Sequence, residues 1–317
     1  MNEMPHAVQS NRLNLKKKNS FSAYWKYKYL TLIFLPAIIY YVIFHYVPIY
    51  GVLIAFKSYK FSLGILGSPW VGFQHFRDLF AFDSFWQVFR NTFLISIYKL
   101  IFGFPAPIVF ALLLNEIRLS IFKRLVQTIS YFPHFLSWVV LGGLAVQFLS
   151  PSIGPINLLL QAIGLDPIYF LGDSKWFRTV LVGTEVWKGL GWGTIVYLAA
   201  IAGVNPELHE AATVDGANRF HRMRYITLPS MMPVITIMLI FAIGGMVNDD
   251  FDQVFNLYNP VVYEVGDVLS TYTYRMGLIN MEYSFATAVG LFKNVIAFVL
   301  ILSANAIAKK INDYGLW

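Results

Sequence analysis

Six stretches of this chain, at 29–56, 88–114, 127–149, 180–202, 230–248 and 285–307, are continuously apolar. Each is long enough to cross about 30 Å of hydrocarbon as a helix of about 20 residues. That pattern leaves few folds open. In lipid every backbone N–H and C=O must be satisfied within the protein, so only helices and closed barrels span a membrane. The runs lack the apolar–polar alternation of barrel strands, so the chain reads as an all-α, polytopic membrane protein with six transmembrane helices. Of its 317 residues 57% are hydrophobic and 13% charged, the charged share being about half that of a soluble domain. The first run follows a charged start, as a signal peptide would, but it is long and has no small-residue cleavage site, so it reads as a retained span. Residues 1–20 are polar without a periodic apolar face and read as disordered.

Positive charge sets the orientation. The amino-terminal tail carries Arg12, Lys16, Lys17, Lys18, Lys26 and Lys28, and the second, fourth and last connections add Arg118, Lys123, Arg124, Arg219, Arg222, Arg224, Lys309 and Lys310. The opposite connections are longer, yet hold only Lys57, Lys60, Arg77, Arg90, Lys175, Arg178 and Arg275. The positive-inside rule then places both termini and the 203–229 loop in the cytoplasm. Topology explains the net charge of +7. A nucleic-acid partner is not implied, because the basic residues sit at membrane boundaries rather than along one aromatic-interleaved stripe. The outer connections mix turn formers with Phe, Trp and Tyr, and their length predicts segments that fold over the outer mouth.

The chemistry of catalysis finds no foothold. There is no cysteine, hence no disulfide or thiolate site. His209-Glu210 begins like a zincin helix, but Thr213 stands where the second histidine belongs. Neither a nucleophile elbow nor a Walker A loop occurs. Asp249, Asp250 and Asp252 lack the spacing of a calcium loop and read as an acidic outer rim.

Polar residues inside the apolar windows are a different matter. Lys99, Lys188 and Lys293 lie in the second, fourth and sixth windows, about 12–16 Å from the outer end at 1.5 Å per residue. An ammonium in hydrocarbon costs at least about 2.5 kcal/mol, so such residues face a cavity or a partner. Glu185 lies three residues before Lys188, within reach of an ion pair on one helix. Trp187, Trp192 and Tyr197 supply flat faces with polar tips, of the kind on which sugar rings stack. Two readings stand: snorkelling or local pairing, and a positive, aromatic-lined passage for an acidic solute. Gly189, Gly191 and Gly193 thin the surface of the same window, which permits close helix approach.

Between the fourth and fifth windows the chain turns polar. Asn205 caps a helix that starts at Pro206 and Glu207, where a fixed φ and a negative charge both suit a first turn. Gly216 stops it. A helix of about three turns is too short to be stable alone in water, so it calls for a partner surface.

Glu210-Ala211-Ala212, Gly216, and Ile226, Leu228 and Pro229 resemble, with full spacing, the EAA signature of permease subunits of binding-protein-dependent ATP-binding-cassette importers. The stretches KLIFGFPAPIVFALLLNE, YFPHFLSWVV, WKGLGWGTIVYLAAIAGVNPELHEAATVDGA and YSFATAVGLFKNVIAFVL are similar to the polysaccharide and lipo-oligosaccharide branch of that family. The resemblance implies the type I importer transmembrane fold in a bacterial cytoplasmic (inner) membrane, with a tail at 1–28, a permease domain at 29–307 and a second tail at 308–317. It also implies a second homologous permease, two cytoplasmic ATPase subunits that bind ATP and Mg, an external solute-binding protein and an oligosaccharide substrate. No cofactor would sit on this chain. The EAA segment would be the coupling helix, with Gly216 ending it and Glu210 making polar contacts with the ATPase; Glu207, Ala211, Ala212 and Asp215 complete the candidate surface. Some members of the branch are similar to importers of uronic-acid oligosaccharides such as alginate or pectin fragments, in line with the buried lysines. An ion-driven secondary transporter would carry inverted repeats, and none is visible. A structural membrane protein would have no need of the Glu, Gly and Leu-Pro spacing.

Overall fold

A computed structural model of the chain describes residues 27–248 and 250–312. The tail at 1–26, Asp249 and the last five residues lie outside it, and with them the reading of 1–20 as disordered. Among the described residues the regular structure is helical, apart from one isolated bridge between Lys57 and Trp70. The chain forms two compact units, one ending at Val52 and the other beginning at Leu53. In the first, the helix Lys28–Tyr41 contains Pro36 and buries none of its residues. It continues through a π turn at Val42–Tyr46 and a short helical segment at Val47–Ile49.

Among the described residues four helical runs are long and apolar enough to cross a membrane: Lys28–Phe56, Asp83–Glu116, Arg219–Val247 and Tyr283–Lys310. The six expected spans are therefore not met one for one. The third window is broken, because Ser120–Phe135 and Trp138–Phe148 meet at 105°. The cause is local. Pro133 opens a tight 3-10 turn over Phe132–Phe135, and Ser137 caps the next helix by accepting from the Val140 N–H at 3.4 Å. The fourth window lies within Ser174–Ala202, a helix of 29 residues. Its length suffices for a crossing, but Lys175, Arg178, Glu185 and Lys188 set it apart from the apolar runs.

Lipid tails are as apolar as leucine, so close packing and satisfied polar groups hold such a bundle together. The 174–202 helix packs along Pro105–Glu116, where Gly193 leaves room for the Pro107 ring. At Gly191 a Cβ would run into the Ser130 carbonyl. One buried cluster gathers Ile108, Ala111, Leu112, Tyr197, Ile201, Met231 and Ile235 at the end of the bundle where the 203–229 loop emerges. Tyr197, expected among the pathway residues, is only 4% exposed, and its ring packs in this core.

The connections expected to be long loops are largely folded, with helices at Gln74–Ala81, Pro155–Ala162 and Phe251–Leu257. Buried amides pin them. Asn157 donates to the carbonyls of Leu149, Ser150 and Ile168 at 3.0–3.2 Å and accepts from the Ile168 N–H at 2.7 Å. Asn91 donates to the Glu264 carbonyl at 2.9 Å and accepts from Arg178 at 2.8 Å. Asp267 is ion-paired with Arg275 and accepts from the Thr271 hydroxyl. Burial disfavours the Arg275 charge, but the Asp267 carboxylate overrides it and lifts the guanidinium pKa above its ordinary value.

Gly191→Val should lower the thermal midpoint of the purified protein in detergent, since overpacking against backbone costs about 1–3 kcal/mol. Gly183→Ala, with nothing within 4 Å of the added methyl, should leave the midpoint in place. Equal midpoints for the two variants would contradict this packing.

Candidate functional site

The 203–229 loop is built by its own side chains. Asn205 Oδ1 accepts from the Glu207 N–H at 3.1 Å, and Pro206 occupies the first position of the helix Pro206–Val214. The helix closes with the Ala217 N–H donating to the Ala212 carbonyl at 2.8 Å and the Gly216 N–H donating to Thr213 at 3.1 Å. This is the Schellman arrangement, which places the residue between in the left-handed region. Gly216 holds that place with φ +80°. Asn218 then caps Arg219–Arg222 by accepting from the His221 N–H at 2.9 Å, and Arg222 donates back to the Thr213 hydroxyl at 2.7 Å. Arg219 lies 4.0 Å from Glu116, at the end of the Pro105–Glu116 helix.

No residue of Pro206–Val214 is buried. Glu207, Glu210, Ala211 and Val214 recur at i, i+3, i+4 and i+7, a single stripe of the helix, and all four are exposed, as are Asp215 and Gly216. Val214 is 89% exposed and Leu208 50%. Ala212 is half-buried on the inward side. The loop thus offers two carboxylates flanking small and apolar groups on a rigid, capped scaffold.

The three lysines of the apolar windows, each half-buried, do not share one chamber. Lys99 borders a cavity of about 410 Å³ with Ser96, Glu185 and Asp250. Its Nζ donates to Asp250 at 2.9 Å and to Gln253 Oε1 at 2.5 Å, with side chains 15% and 47% exposed for Lys99 and Asp250. Gln253 is fully buried and anchored to the Leu181 carbonyl and the Thr184 hydroxyl. Asp250 therefore turns inward to Lys99 and is not part of an outer rim. This cavity carries two carboxyls and one ammonium, so Lys99 adds no net positive charge to it. Glu185 Oε2 is buried, with no hydrogen-bond partner among the described residues.

Lys188 does not pair with Glu185. Its Nζ donates to the Leu136 carbonyl at 2.6 Å and the His134 carbonyl at 3.4 Å. Trp192 lies parallel to the His134 ring at 4.4 Å. Trp187 borders an apolar cavity of about 530 Å³ with Phe132, Leu136 and Phe148. Lys293 lines a separate cavity of about 630 Å³ with Ser270, Thr273, Tyr274, Thr287 and Asn294, and donates to Ser270 Oγ at 2.6 Å. That chamber combines an ammonium, hydroxyls, an amide and aromatic faces.

Gln253, Ser270 and Tyr274 carry no signal in the sequence, because they lie in a stretch with the composition of a loop, and Asp250 there reads only as part of an acidic rim. The pair Val254 and Leu257, three residues apart and buried, was the available sign of a short helix there.

A family model described as binding-protein-dependent transport system inner membrane component matches residues 103–313. Protein LplB of Bacillus subtilis (strain 168) is 45% identical over 92% of this chain and 91% of its own length. The polygalacturonan/rhamnogalacturonan transport system permease protein YteP of the same organism is 42% identical over 95% of this chain and 94% of its own. The crystal structure of a bacterial alginate ABC transporter in complex with alginate pentasaccharide-bound periplasmic protein contains a similar chain, with TM-score 0.87 and 41% identity over 94% of this chain and 100% of that one.

Lys99→Met should cost about 1–2 kcal/mol of stability, since it strips a charged donor from two acceptors. The double variant Lys99→Met/Asp250→Asn should recover part of that loss. Thermal midpoints of the three proteins check this; a double variant less stable than Lys99→Met would contradict the pairing.

Proposed function

The chain belongs to the family of binding-protein-dependent transport system inner membrane components, and on that footing we propose that it forms, with a second homologous permease, the path of a uronate-containing oligosaccharide driven by two ATPase subunits. It is a multi-pass permease and carries out no covalent chemistry itself. The observation that carries the mechanism is the 206–214 helix, capped at both ends, without a buried residue, and lined by Glu207, Glu210, Ala211 and Val214. Such a helix is marginal alone in water; its own caps order it, and its exposed stripe is left for a protein surface. We assign that surface to the ATPase, which puts the 203–229 loop and the tails at 1–28 and 308–317 in the cytoplasm, in accord with the distribution of Lys and Arg.

In this scheme ATP draws the ATPase subunits together, and the seated helix moves with its groove. Gly216 and the Arg222 to Thr213 hydrogen bond keep the loop from bending, so displacement passes to the 174–202 helix and to the π turn Met223–Thr227 that enters Leu228–Gly244. The bundle opens to the outside, accepts sugar from a docked solute-binding protein, and returns inward on hydrolysis. Alternating access requires that the ligand favour one state over the other, and the loaded binding protein provides that preference.

The Lys293 cavity is the part of the chain suited to a sugar acid. A carboxylate meets an ammonium there, hydroxyls meet Thr273, Thr287 and Asn294, and a ring face meets Tyr274. Relatives whose names carry polygalacturonan and alginate support the same class. Trp187 and Lys99 remain secondary contributors to the path, Lys99 through the polar lining that its ion pair creates.

The reconstituted complex should hydrolyse ATP faster when its binding protein is loaded with a uronate oligosaccharide than with a neutral one. Lys293→Gln should reduce uptake of the acidic sugar by about tenfold, as for loss of a charge-assisted contact, and leave a neutral analogue unaffected. Equal stimulation by both sugars would overturn the acidic assignment, and uptake by this chain alone on an ion gradient would overturn the importer.

A further inference from the structure

The break between Ser120–Phe135 and Trp138–Phe148 exposes backbone that neither half satisfies. The chain turns by 105° there, so the carbonyls of His134 and Leu136 find no N–H one turn further on. Unpaired carbonyls at membrane depth need a donor from a neighbour. That donor is Lys188, with its Nζ on both carbonyls and 5.1 Å from the centre of the Trp138 ring.

Two more residues of the same helix join it. Gly191 and Trp192 follow Lys188 at i+3 and i+4 and share its stripe. Gly191 admits the Ser130–Tyr131 backbone, against which any Cβ would collide. Trp192 stacks on His134 with planes 1° apart and meets Phe135 edge-on at 5.8 Å. Ammonium, bare backbone and indole thus grip the break from one side, and the helix that carries them ends at Ala202, just before the Asn205 cap of the 206–214 helix.

We propose that Lys188 and Trp192 latch the broken 120–148 pair to the 174–202 helix so that the two move as one body and deliver displacement of the 206–214 helix to the break. Lys188 is a positioning residue in this account, and the sugar does not touch it. The proposal rests on the importer reading for what drives the motion.

The chain has no native cysteine, so His134→Cys and Trp192→Cys can be bridged selectively by a short bis-methanethiosulfonate in the assembled complex with partner cysteines blocked. Bridging should leave ATP-driven uptake no lower than in the unbridged double variant, in every nucleotide state. Arrest of uptake by the bridge, reversed by reduction, would overturn the latch. Lys188→Met should lower sugar imported per ATP hydrolysed by about two- to thirtyfold, the range for a residue that transmits coupling, and Lys188→Arg should restore it. A proportional fall of uptake and hydrolysis in Lys188→Met would show a merely structural role and also overturn it. Failure of the importer reading shows separately, as no ATP-driven uptake by the unsubstituted complex.

Discussion

A polar group inside a membrane must find its partner within the protein, and the placement of nearly every charged residue in the bundle follows from that demand. Lys99 meets Asp250 and Gln253, Lys188 meets the carbonyls of a broken span, and Lys293 meets Ser270. Each contact crosses between segments remote in sequence, so the polar groups stitch the bundle where the hydrophobic effect between helices is absent. The buried amides of Asn91 and Asn157 do the same for the connections at one end. A bundle held this way keeps polar cavities of several hundred cubic ångströms without losing its register, and a transport path needs that combination.

The coupling loop obeys the opposite rule. Its order comes from bonds spanning two to nine residues: Asn205 to Glu207, Asn218 to His221, Arg222 to Thr213. It therefore needs little from the bundle and presents its whole outer stripe. Rigidity within the loop and exposure of its surface are both required of a lever, because a compliant element would absorb displacement that a stiff one transmits.

This contrast explains how much was legible in the sequence. Asn205, Pro206 and Gly216 are local signals, and the structure places the cap, the first turn and the stop where they imply. The long-range partners were not legible. Lys99 and Asp250 lie 151 residues apart, and nothing local favours that pairing. The three-residue spacing of Glu185 and Lys188 pointed to a local ion pair, yet the unsatisfied carbonyls at the break bind the ammonium instead. Tyr197 has the amphipathic shape of a sugar-stacking residue, but its apolar body settles in the core beside Ile201. The break itself was foreshadowed by Pro133, which lacks the N–H that a continuing helix needs, and by Ser137 as a cap, although the unbroken apolar run around them read as one span.

The central claim is that the exposed 206–214 helix seats on the ATPase. Single cysteines at Leu208 and Val214 in this cysteine-free chain, with a photoactivatable thiol cross-linker in native membranes, test it most directly. Both positions should cross-link to the ATPase subunit and be shielded by its presence. Labelling of either cysteine by a membrane-impermeant thiol reagent added from the solute-binding-protein side, with no cross-link to the ATPase, would contradict it.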